Sequence, residues 1–79
     1  MGKLEKQIER VLKLDKNLRF EELARILVKL GYEQSQPKGG SSHYTFRKVR
    51  KMPITISKSN PVIIAYVKMV KDVLIEEGY

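Results

Sequence analysis

From His43 to Arg47 the side chains alternate in character, and this short run limits the fold more than any other part of the chain. His43, Thr45 and Arg47 fall on one side and Tyr44 and Phe46 on the other. A period of two is the signature of a β-strand with one face on a core and one face in water. Ile54-Thr55-Ile56 repeats the alternation, so its isoleucines match Tyr44 and Phe46 on the buried face. Tyr32 to Gln36 reads as a first strand stopped by Pro37, with residues 43–48 as the second. Lys38-Gly39-Gly40-Ser41-Ser42 is the turn before the second strand, and Val49 to Pro53 is the loop after it.

The flanking segments change period. Leu4, Ile8, Val11 and Leu12 form one stripe of an amphipathic helix over residues 3–14, and Asp15-Lys16-Asn17 breaks it. A second helix starts near Phe20, with Glu21 and Glu22 in its first turn, where the helix dipole favours negative charge. Its apolar stripe is Phe20, Leu23, Ala24, Leu27 and Val28, and Gly31 ends it as a left-handed residue with Tyr32 as the apolar contact of a Schellman motif. Asn60-Pro61 reads as an N-cap and N1 proline, opening a third helix with Ile63, Tyr66, Val70, Val73 and Leu74 toward the core. The expected fold is a small α+β domain, order ααβββα, with a three-stranded antiparallel sheet and helices on one of its faces.

Seventy-nine residues hold one core and one domain. The chain has no cysteine, no apolar run long enough to span a membrane, and a charged amino terminus unlike a secretion signal. These features point to a cytoplasmic protein without membrane attachment. Between Glu33 and Asp72 no acidic residue occurs, while Lys38, Arg47, Lys48, Arg50, Lys51, Lys58, Lys68 and Lys71 do. A one-sided basic tract with interleaved aromatics favours a polyanion, most simply nucleic acid, over an acidic protein partner.

His43 is the only histidine. RNA is cut without metal when a base takes the 2′-hydroxyl proton and that oxygen attacks the adjacent phosphate. The chemistry needs a group that titrates near neutral pH, which an imidazole is, and cations for the charge developing on phosphate. Arg47, Lys48 and Lys38 are the candidate cations, with Lys58 and Thr45 as further RNA contacts. Gly39 and Gly40 let a sugar-phosphate backbone approach main-chain N–H groups, and Gly40 and Ser42 shape the turn. A single histidine cannot be base and acid in one step, so Tyr44, a lysine or water has to take the other role. The plainer readings are a surface histidine, an ordinary hairpin turn, and Tyr44 and Phe46 as core residues. No metal site or cofactor is expected, because the tract lacks ligand residues.

At these residues the chain resembles the HicA family, small ribonuclease toxins of bacterial and archaeal toxin–antitoxin pairs. The likeness covers Leu30-Gly31-Tyr32, the run Gly40-Ser41-Ser42-His43-Tyr44-Thr45-Phe46-Arg47, Pro53-Ile54-Thr55-Ile56, and Asn60-Pro61 leading into Ala65-Tyr66-Val67-Lys68. It takes in residues 18–77 as a family-like core, with residues 1–17 as an additional amino-terminal helix and connection. The resemblance implies a fold like the double-stranded-RNA-binding domain and metal-independent mRNA cleavage with His43 as catalytic residue. It also implies neutralisation by a HicB-type antitoxin, in a heterocomplex or alongside a homo-oligomer. Many members carry a proline and a second histidine just after the third strand, where this chain has Ser57 and Ser59. The alternatives are a non-catalytic RNA-binding module of the same fold and a protein-interaction domain with a basic patch.

Overall fold

The two alternating runs pair as their side chains require. In a computed structural model that describes residues 2–35, 43–59 and 61–79, the strands are β1 (Glu33–Ser35), β2 (His43–Arg47) and β3 (Ile54–Ser57). They form an antiparallel sheet in the order β1-β2-β3. Phe46 lies opposite Ile54 and Tyr44 opposite Ile56, so one face of the sheet is apolar. On that side α1 (Lys3–Leu12), α2 (Phe20–Lys29) and α3 (Ile64–Glu76) join it in one core, with α1 packed on α2 and α3. The architecture is the expected ααβββα domain. The turn residues Lys38, Gly39, Gly40 and Ser42, the strand end at Gln36-Pro37 and the Asn60 cap lie outside the described residues.

α1 belongs to the core. Ile8 and Val11 are buried, Leu4 and Leu12 pack beside them, and the helix lies against α3 and α2. Its link to α2 is a polar knot around Arg10. The guanidinium donates to Asp15 Oδ2 (2.9 Å), Glu22 Oε2 (2.8 Å) and the Asn17 carbonyl (3.3 Å). Glu22 also accepts the Arg19 N–H (3.2 Å), so one carboxylate caps α2 and ties it to α1. The Asn17 N–H and then Arg10 hold the Asp15 carboxyl below the usual carboxylate range.

All three helices end alike. The Tyr32 N–H reaches the Leu27 carbonyl and the Gly31 N–H the Val28 carbonyl, both at 3.0 Å, which is the Schellman pattern expected at Gly31. Gly31 has φ +102°, open to glycine and strained for other residues. Gly78 repeats the pattern at the end of α3, and Leu14, with φ 57°, does so at the end of α1. Lys48, just past β2, joins two of these ends. Its ammonium donates to the Leu30 carbonyl (2.7 Å) and to Glu77 Oε2 (3.1 Å), and sits 5.6 Å from the Tyr32 ring centre.

Five expectations need correction. The third helix starts at Ile64, with Ile63 as its cap, and Pro61 is not its first residue. The Val62 N–H donates to the Leu18 carbonyl at 2.8 Å, holding this segment out of the helix while Val62 enters the core. Ile63 is consequently 56% exposed, and Val62 and Val67 take the interior places. On α2, Val28 is exposed and Ile26 fully buried, because this helix contacts α1, α3 and β1 and its buried arc exceeds one stripe. α1 stops at Leu12 and β2 at Arg47, two residues and one residue short of the expected ends.

Two measurements check this arrangement. Ile8→Ala should lower unfolding free energy by about 2–5 kcal/mol in dilute protein, as for any large aliphatic side chain removed from a core. An unchanged denaturant midpoint would mean that α1 does not share the domain's core. Lys48→Ala should cost about 1.5–3 kcal/mol by the same titration, since it unties a charged donor from a helix carbonyl and a half-buried carboxylate. A cost below 0.5 kcal/mol, the ordinary effect of a surface substitution, would show that the junction contributes nothing.

Candidate nucleic-acid interface

The face of the sheet turned away from the helices is polar throughout, and the register sets out its rows. His43 lies opposite Ser57, Thr45 between Ser35 and Thr55, and Arg47 opposite Glu33. Directly opposed residues of antiparallel strands share a face, so three hydroxyl side chains, Ser35, Thr55 and Ser57, lie beside Thr45 and His43. Thr45 and Thr55 hydrogen-bond through their hydroxyl oxygens at 3.2 Å. His43 and Arg47 are exposed at opposite ends of β2.

That separation matters chemically. Four residues of strand put the His43 and Arg47 α-carbons about 13 Å apart, a gap that their side chains close only by leaning toward each other. Standing straight out from the sheet, Arg47 holds a bound strand at the other end of β2 from His43. Lys48 is set apart differently. Its ammonium is committed to Leu30 and Glu77, and its side chain is only 25% exposed. Sequence proximity to Arg47 suggested a phosphate contact, whereas the spatial position gives a structural tie.

Tyr44 lies on the other side of the sheet from His43, half-buried, with its ring centre 4.9 Å from that of Phe20. It is not available to complement His43 on the polar face. Lys58 follows Ser57 and so shares the His43 end of the sheet, but its ammonium lies over the Phe20 ring, 6.0 Å from the centre. Thr45 joins the hydroxyl rows. Lys38, Gly39, Gly40 and Ser42 lie outside the described residues.

The basic tract is less one-sided in space than in sequence. Glu77 meets Lys48, Glu33 faces Arg47 across the strands, and Asp72 and Glu76 line one depression with Arg50 and Lys51. Acidic residues that flank the tract in sequence fold back over part of it. The hydroxyl rows and the counter-charges were missed in the sequence. The first was readable by extending the alternation of β2 onto its neighbours, the second only from the fold.

Among the described residues no three His, Asp or Glu side chains cluster as a metal site would require, and no helix is long and apolar enough to cross a membrane. Comparison of the chain with models of known protein families, with curated proteins and with solved structures finds no match.

Proposed function

We propose that this chain is a HicA-type endoribonuclease that binds mRNA on the polar face of its sheet and cuts it with His43. The observation that carries the reading is the exposed His43 at the end of the central strand, beside Ser57 and in line with Thr45 and Arg47. The resemblance over residues 40–47 agrees with it.

In this reading His43 takes the 2′-hydroxyl proton, or supplies one to the leaving oxygen. The 2′ oxygen bonds to the adjacent phosphorus as the bond to the 5′ oxygen breaks, leaving a 2′,3′-cyclic phosphate and a 5′-hydroxyl. With Tyr44 across the sheet, water is the simplest partner for the second proton transfer. Thr45 and the hydroxyls around it offer neutral hydrogen bonds to ribose and phosphate oxygens, and Arg47 anchors the strand farther along. A HicB-type antitoxin would inhibit by covering this same face, in the cytoplasm where mRNA is found.

The purified chain, incubated with RNA in a chelator, should yield cyclic-phosphate ends, and His43→Ala should reduce the rate by about 10²–10⁴-fold, the usual worth of general acid–base catalysis. RNA binding and melting temperature should persist in that variant, since His43 is exposed. Equal cleavage by His43→Ala would remove His43 from the mechanism. Binding without cleavage by the unmodified chain would make it an RNA-binding module, and no binding at all would leave a protein-interaction domain. A second check is electrostatic. Arg47→Ala should lower the slope of log affinity against log salt by about one, because one phosphate contact is lost. An unchanged slope would place the RNA away from this end of β2.

A further inference from the structure

A second feature lies at the His43 end of the sheet, on the side facing the helices. A depression of about 440 Å³ runs between α2 and the sheet, with Phe20, Ala24, Val28 and Tyr44 as its apolar surface and Glu21, Arg25, Gln34 and Lys58 as its polar groups. Tyr44 is only half-buried: it leans on Phe20, which in turn sits 6.2 Å from Phe46, and it also lines the depression. Val28, an apolar residue left exposed on α2, lines the same space.

We propose that this depression is a subsite for one unstacked nucleobase of the bound RNA, with Tyr44 as its stacking surface. The inference rests on the RNA-binding reading above and adds to it a place where the strand is held by a base rather than by phosphate. Three observations select a base as occupant. The Tyr44 ring is held against Phe20, which in turn packs on Phe46, and bases of any sequence stack on such rings. Gln34 both donates and accepts hydrogen bonds and Glu21 accepts them, which suits the edge of a base, whereas a carboxylate in the lining disfavours a phosphate there. Lys58 and Arg25 supply the cations that the phosphates on either side of an inserted base require.

The position joins the two sites. Consecutive residues of a strand point to opposite faces, so His43 and Tyr44 serve the two sides of the same sheet end. A strand passing over that end places a base against Tyr44 and presents its backbone toward His43. The subsite would thereby fix which phosphate reaches the imidazole, and single-stranded RNA, whose bases are free to turn out, would be preferred over a duplex.

The test uses an eight-nucleotide 2′-O-methyl RNA containing all four bases, which cannot be cut through a 2′-hydroxyl, and the same backbone with every base removed. Fluorescence anisotropy with the full chain should show the intact oligonucleotide binding about 5–150-fold more tightly than the abasic one, the equivalent of one stacked base. Tyr44→Phe should keep this ratio and Tyr44→Leu should bring it toward one. Val28→Glu, at an exposed position on the same wall, should do so too without disturbing the core, and thermal melting will show that each variant is folded. A ratio near one in the unmodified chain would overturn the subsite and leave the RNA-binding reading standing. A large ratio that neither Tyr44→Leu nor Val28→Glu reduces would place base recognition elsewhere and also overturn it. Failure of the intact oligonucleotide to bind would remove both readings.

Discussion

The ammonium of Lys48 is where the separate elements of this domain become one structure. A helix carboxyl end is the negative pole of its dipole and leaves carbonyl groups without intrahelical partners. α2 and α3 bring two such ends to the same place, and Glu77 adds a full negative charge. The residue immediately after the central strand supplies the cation that both ends need. The sheet is thus moored to two helices by one side chain, beside the Gly31 turn whose positive φ ends α2. Arg10 does the same work at the other junction, where α1, the connection and the start of α2 meet.

Much of this was legible in the sequence wherever a local rule governs a local structure. Alternation over 43–47 and 54–56 fixed both the strands and the faces they bury, because a period of two leaves each side chain only two directions. Gly31 was readable as a helix end because few other residues take that backbone conformation. The failures share a cause as well. Asn60-Pro61 is a sound start signal, yet the Val62 N–H finds the Leu18 carbonyl, some forty residues earlier, and tertiary contact overrides local preference. Val28 and Ile26 exchanged places because a helix touching three neighbours buries more than a stripe. Lys48 read as one more cation in a basic run, since nothing in a sequence tells which carboxylate will arrive from α3.

The candidate site divides along the same line. His43, Thr45 and Arg47 were assigned to one wet face by periodicity alone, and they share it. Their spacing along the strand was equally available and carries a consequence that charge counting hides: residues that share a face need not share a phosphate. Tyr44 shows the converse. Its position in the alternation marked it for the core, and it does lean on Phe20, but a ring at the end of a small sheet keeps one part of its surface open. Phe20, Tyr32 and Phe46 are interior, whereas Tyr44 at the margin packs on one side and lines an open depression on the other.

The packing of α1 against α3 sets the order in which the domain can be made. The layer over the sheet needs Ile8 and Val11 together with Val70 and Leu74, so its closure joins segments about sixty residues apart and carries the corresponding loop entropy. Until α3 has emerged and packed, Phe46, Ile54 and Ile56 lack part of their shelter. A released chain truncated before α3 would expose apolar surface and be a substrate for chaperones or proteases. Folding is thereby postponed until almost the whole described chain has been translated, and whatever the polar face does in the cell begins only after that point.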